Sequence, residues 1–157
     1  MAKTLVVYYS ATGTTARVAK AVADELGADL REIVPATPYT AADLNWNNKR
    51  SRSTVEMEDP AARPELAEAP GDLSTYDTVL VGFPIWWYVA PRIIDTWVEA
   101  AATELAGKRV VTFATSGGSG MGRSTAELEK LAPEAAWESG EVLRGERAAR
   151  AWAASIA

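Results

Sequence analysis

Ser10-Ala11-Thr12-Gly13-Thr14-Thr15 sets four hydroxyls and a glycine directly after the apolar run Leu5-Val6-Val7-Tyr8-Tyr9, at the point where a helical pattern begins. A strand that turns into a helix through such a loop is suited to holding a phosphate. The first N–H groups of a helix have no acceptor within it, and its dipole adds partial positive charge there. Gly13 lets the backbone approach an anion closely, and the hydroxyls supply neutral donors. The loop has neither the Gly-Lys-Ser/Thr ending of a triphosphate-binding loop nor a three-glycine dinucleotide spacing. Taken alone it reads equally well as an ordinary helix N-cap, with Ser10 or Thr12 as the capping residue.

Two further segments carry chemistry. Pro84-Ile85-Trp86-Trp87-Tyr88-Val89-Ala90-Pro91 follows another apolar run. Neighbouring side chains diverge in strands and helices alike, so three consecutive aromatics cannot all enter one core. At least one is expected at the surface, where adjacent aromatics mark a binding site for a flat molecule. Packing of these rings against the rest of the chain is the alternative. Ser116-Gly117-Gly118-Ser119-Gly120-Met121-Gly122 has four glycines in seven positions. A backbone of that kind can pass close under a planar ligand and offer it N–H groups.

Composition narrows the chemistry. The chain has no cysteine and no histidine, which removes thiol catalysis, disulfides, Cys-ligated metals and Ser-His-Asp triads. No metal site is expected, and any reaction has to come mostly from a bound cofactor. A net charge of −5 argues against nucleic acid and is compatible with steering toward a partner with a basic surface. No run approaches the roughly 20 apolar residues of a membrane span, and the apolar run near the N-terminus is too short for a signal peptide. The expectation is a cytoplasmic protein without membrane contact. At 157 residues with 48% apolar and 24% charged residues, one globular domain covering 1–157 is expected.

Short apolar runs alternate with helical patterns, as in parallel strands buried on both faces. Strands are predicted at Thr4 to Tyr9, Asp29 to Val34, Thr78 to Phe83, Arg109 to Thr115, and within Glu134 to Val142. Helices are predicted from Thr14 to Leu26 with Gly27 as its stop, Pro91 to Ala102, Ser124 to Leu131, and Glu146 to Ile156. Residues 35–76 form a long proline-rich crossover with a basic cluster (Lys49, Arg50, Arg52) followed by an acidic one (Glu56, Glu58, Asp59). A short helix near Thr40 to Asn47 is expected there, with Thr40 and Asp43 as an N-cap pair. The crossover reads as an elaborated surface connection, or as a flap bringing Trp46 or the basic cluster to a ligand.

The three loops follow strands one, three and four. In an open sheet of order 2-1-3-4-5 those strand ends are adjacent at the switch point, where ligands bind. A phosphate cradle beside an aromatic-and-glycine wall matches flavin mononucleotide. The sequence resembles the flavodoxin family at Ser10 to Thr15, at Gly82 to Pro91 and at Ala114 to Gly122, and specifically its flavodoxin-like members with a Trp-Trp loop. The crossover from Tyr39 through Arg63-Pro64-Glu65-Leu66 resembles that subgroup too. The resemblance implies a flavodoxin-like, doubly wound five-stranded parallel sheet with helices on both faces. It implies that Ser10, Thr12, Gly13, Thr14 and Thr15 hold the FMN phosphate. Pro84, Ile85, Trp86, Trp87, Tyr88, Ser116, Gly117 and Gly118 would flank the isoalloxazine ring.

The leading reading is electron carriage on bound FMN to a redox protein. The alternative is an NAD(P)H-dependent FMN enzyme of the quinone reductase kind, and a third is a non-redox interaction module on the same scaffold. One departure stands out. Better-known flavodoxins surround the ring with acidic residues, whereas Phe83 to Ala90 and Thr115 to Gly122 are neutral here.

Overall fold

The apolar runs pair as one all-parallel sheet, with strand order β2-β1-β3-β4-β5. The strands are β1 (Thr4–Tyr8), β2 (Asp29–Glu32), β3 (Thr78–Pro84), β4 (Arg109–Thr115) and β5 (Ala136–Val142). The helices are α1 (Thr14–Leu26), α2 (Arg52–Glu58), α3 (Arg92–Leu105), α4 (Ser124–Glu129) and α5 (Glu146–Ile156). The structure is a computed structural model and describes residues 3–157. Among them no helix is long and apolar enough to cross a membrane.

Alternation along the inner strands divides the core in two. Leu5, Val7, Val79, Val81 and Phe83 pack against Ile93, Ile94, Trp97 and Val98 of α3 and Leu128 of α4. Val6, Leu80, Val111 and Phe113 face the other way, against Val18 and Val22 of α1 and Ala149, Trp152 and Ala153 of α5. Gly82 is glycine because the Phe113 ring fills the place a Cβ would take. Burial on both faces holds for β1, β3 and β4 only. As edge strands, β2 is exposed along its length and β5 largely so, which is why both read weakly in the sequence.

The crossover differs most from expectation. Thr40 and Asp43 do exchange the predicted capping bonds, with Thr40 N donating to Asp43 Oδ2 (2.9 Å) and Asp43 N to Thr40 Oγ1 (3.1 Å). They close a turn over Ala41–Leu44 and no helix follows. The helix of this segment is α2 instead. Seven residues cannot sustain a helix alone. Ser51 Oγ accepts from Thr54 N at its start, and Arg52 pairs with Glu56 at 2.9 Å. At its end the buried Arg92 guanidinium donates to the carbonyls of Met57 (2.9 Å), Asp59 (3.1 Å) and Glu56 (3.3 Å). A cation at a helix C-terminus also meets the negative end of the dipole. Asp95 and Arg63 complete this buried cluster. Burial pushes the Asp95 carboxyl up to about 6, against the pull of Arg92 and Arg63. β2 ends two residues early, and the chain then pairs antiparallel with the returning crossover through Pro35 and Leu66.

Candidate functional site

The loop after β1 is a donor cluster. Gly13, at φ 94°, is the N-cap of α1, a conformation that favours glycine. Ser10 Oγ accepts from the Gly13 amide (3.0 Å) and the Ala16 amide (3.1 Å), which leaves its own proton free to donate. The amides of Thr12, Thr14 and Thr15 have no acceptor among the described residues, and α1 has no acid in its first turn. Thr12 and Thr14 are exposed. Thr15 is only 2% exposed, and its hydroxyl lies 2.7 Å from that of Thr115 at the end of β4. Its side chain therefore fastens α1 to the sheet, and its amide stays free for a ligand.

Pro84 is the last residue of β3, paired with Thr115, and Ile85 N continues the ladder to Thr115 O (2.9 Å). Trp86 and Val89 then exchange backbone hydrogen bonds of 2.9 and 3.2 Å across the two-residue turn Trp87-Tyr88. Both turn residues are left-handed, at φ 49° and 69°. Such turns favour Asn-Gly, and each L-residue there costs roughly 1–2 kcal/mol. Two bulky residues held in that region point to a functional constraint on the loop.

The three rings take different places. Trp86 is half-buried and packs edge-on against Tyr9 (5.9 Å, 87°) and Tyr39 (5.6 Å, 72°). Trp87 and Tyr88 remain 42% and 66% exposed. Tyr39 is itself fixed, because its hydroxyl donates to Glu56 and the Arg52 guanidinium lies 3.8 Å over its ring. Burial and the neighbouring Glu56 carboxylate both hold the Tyr39 hydroxyl protonated. Burial does the same for Tyr9.

In the loop after β4, Ser116 Oγ accepts from Ser119 N at 2.9 Å and closes the turn. Gly122, at φ 57°, presses on the Tyr88 carbonyl, which also accepts from Arg123 N (3.0 Å), so this loop and the aromatic loop are joined. Gly117, Gly118 and Gly120 are different. They have no positive φ, and nothing lies within 4 Å of where their Cβ atoms would be. Neither conformation nor internal crowding requires glycine there, and the effect is room beside the cavity.

That cavity has a volume of about 490 Å³ and is lined by Ile85 to Tyr88, Ser116, Gly118, Ser119 and, from the crossover, Trp46. Of the residues expected at the site, Pro84, Gly117 and all of Ser10, Thr12, Gly13, Thr14 and Thr15 do not line it. A second cavity of about 420 Å³ at the β2 edge is lined by Arg31, Glu32, Glu68 and Asp72 among others, and shares no residue with the loops. A neutral anion cradle and an aromatic slot thus occupy neighbouring strand ends of one sheet. The donor set and the space fit a flavin nucleotide. The Tyr39–Glu56–Arg52 support was not legible beforehand, since nothing in the sequence ties Glu56 to Tyr39.

The sequence of residues 3–156 matches the profile of the family described as Flavodoxin. Among curated proteins nothing matches. Two solved structures are close: a Bacteroides eggerthii protein assigned as a flavoprotein, 52% identical with a TM-score of 0.90 over 99% of this chain and 98% of that one, and its Bacteroides uniformis counterpart, 48% identical with a TM-score of 0.90 over 96% and 97%. A Lactobacillus acidophilus flavoprotein crystallised with FMN shares the fold at 21% identity, with a TM-score of 0.73 over 97% and 99% of the two chains. Profile, sheet order and loop placement agree, and the chain belongs to the flavodoxin family.

Proposed function

We propose that this protein binds FMN in the three-loop crevice and carries electrons on it. The observation that carries the reading is that uncommitted donors around Thr12 to Thr15 and the aromatic cavity follow the neighbouring strands β1 and β3, at the switch point of the sheet. When bound, FMN supplies one- and two-electron chemistry at its ring. The Ser10 proton, the Thr12 and Thr14 hydroxyls and the amides of Thr12, Thr14 and Thr15 hold the phosphate without a Lys or Arg in the loop. The end of α1, worth about half an elementary charge, offsets part of its charge. Trp86, pinned by Tyr9 and Tyr39, and the Trp87-Tyr88 turn wall the ring and exclude water.

The lining has no Asp, Glu, Lys or Arg, and Tyr88 is its one titratable group. We read the role as carriage, with the stand-alone reductase as the alternative that the following test separates. The test is the visible spectrum of the purified protein before and after adding FMN, followed by steady-state NAD(P)H oxidation with a quinone. Flavin bands with negligible turnover are expected. A colourless protein that takes up no FMN refutes the cofactor, and rapid NAD(P)H turnover moves the assignment to the reductase.

A further inference from the structure

The second cavity, of about 420 Å³ at the β2 edge, is large enough for a small organic molecule. Its floor is apolar: Val7 of β1, Ile33 just past β2 and Trp97 of α3, all buried in the core on that face of the sheet. Its wall is the returning crossover, which is fixed on both sides. Ala36 N donates to Glu65 O and Ala67 N to Val34 O, each at 2.8 Å, and Leu73 N donates to Glu104 Oε2 of α3 at 2.8 Å. The opening is thus part of the fold, formed before any ligand arrives.

Trp97 is 4% exposed, yet its Nε1–H donates to no acceptor among the described residues, whereas the Trp137 indole donates to Ala132 O at 2.8 Å. Among those residues, no fully buried side-chain nitrogen or oxygen lacks a partner. The Trp97 N–H is therefore not sealed, and the space that Trp97 lines is this cavity. A buried indole N–H ordinarily finds a partner in the protein. Here the donor is left to whatever fills the cavity.

Alternation along β2 sorts the charges at the mouth. Arg31 pairs with Val7 and shares its face, as does Ile33, so Glu32 turns to the other face with Tyr8. Arg31 Nη1 donates to Pro70 O (3.3 Å), and no acid lies within ion-pair distance of it among the described residues, which leaves further N–H groups of its guanidinium to donate. On the wall, Asp72 Oδ1 accepts from Ser74 N at 2.9 Å. The Glu68 carboxylate has neither a hydrogen bond nor an ion pair among the described residues. An uncommitted cation and an uncommitted anion thus border an apolar floor that presents one donor.

We propose that this cavity is a binding site for a small apolar amino acid or a related zwitterion. The carboxylate takes the Trp97 N–H and Arg31, the ammonium takes Glu68, and the apolar body packs on Val7 and Ile33. The site shares no residue with the flavin crevice, so it stands or falls apart from the cofactor reading.

The experiment titrates the purified full chain with three probes of one ring: L-phenylalanine, phenethylamine, which lacks the carboxylate, and 3-phenylpropionate, which lacks the ammonium. Affinities come from calorimetry and location from the Trp97 indole N–H resonance. Phenylalanine should bind about tenfold more tightly than phenethylamine and about fivefold more tightly than phenylpropionate, and should shift that resonance. Trp97→Phe and Arg31→Gln should each weaken phenylalanine and phenylpropionate while sparing phenethylamine. Glu68→Gln should weaken phenylalanine and phenethylamine while sparing phenylpropionate. Arg31 and Glu68 are exposed, so those two variants keep the test decisive if Trp97→Phe does not fold. Failure of phenylalanine to bind, equal binding of the three probes, an unmoved Trp97 resonance, or variants that weaken all probes alike each overturns the proposal.

Discussion

Replacing Tyr88 by alanine or by glycine separates backbone strain from ring contact. Both variants lose the same ring, which is 66% exposed, so lost burial and lost cavity lining cancel in the comparison. What differs is the Cβ at φ 69°. In the left-handed region a Cβ costs roughly 1–2 kcal/mol. Glycine has its own cost, because its unfolded chain is freer by about 0.4–1 kcal/mol. The balance leaves Tyr88→Gly more stable than Tyr88→Ala by about 0.5–1 kcal/mol, opposite in sign to an ordinary strand or helix position. Urea unfolding of the two variants reads the difference as a shift in midpoint at constant slope. If the alanine variant is as stable as the glycine variant or more so, the Trp87-Tyr88 turn is not left-handed at Tyr88. The argument that strain marks this loop then collapses with it.

Thr14→Ala should weaken FMN by about 1.5–3 kcal/mol while leaving riboflavin almost unchanged, because it removes a donor to a charged acceptor; parallel titrations that show equal losses would take Thr14 off the phosphate. Thr15→Ala should instead cost about 1–2 kcal/mol of folding stability in urea, since it strands the buried Thr115 hydroxyl, and an unchanged midpoint would contradict that. Trp86→Ala should weaken FMN by about 1–3 kcal/mol and raise the emission of what remains bound; fluorescence titration that matches the parent would assign Trp86 to the core alone. Asp95, whose carboxyl stands at about 6 in the fold against 3.8 in a model peptide, holds its proton more tightly folded than unfolded. Its contribution is present below about pH 4 and is lost as pH rises through about 6, a change of about 3 kcal/mol. Melting curves across that window should show the slope in the parent and not in Asp95→Asn.

The inner strands were legible because β1, β3 and β4 are buried on both faces and so appear as unbroken apolar runs. The edge strand β2 has Leu30 exposed, and Val34, two residues past its end, is exposed as well, so this stretch carries no such signal. The three loops announced themselves by composition, and the strand order sets them at neighbouring strand ends. The misplaced helix has a physical explanation. Thr40 and Asp43 form a genuine capping pair, but residues 41–50 have little apolar surface to bury as a helix, so local capping stops at one turn. α2 depends on Arg92, which lies 33–36 residues away from its carbonyl partners, a contact no local pattern records. Thr15 shows the same limit on a smaller scale. Its hydroxyl fits a phosphate loop by type, while its partner is Thr115, 100 residues on.

The Arg92 clamp has a consequence for cooperativity. One guanidinium closes the end of α2 and lies in the first turn of α3, so the crossover cannot detach without leaving a buried cation short of acceptors. Sub-global opening of the segment that carries Trp46 and Tyr39 is thereby tied to loosening of the core helix beside it. Native-state hydrogen exchange would register α2 and the start of α3 as one unit, opening at a common free energy. The rim of the cavity, although it stands on the longest connection in the chain, inherits the rigidity of the layer beneath it.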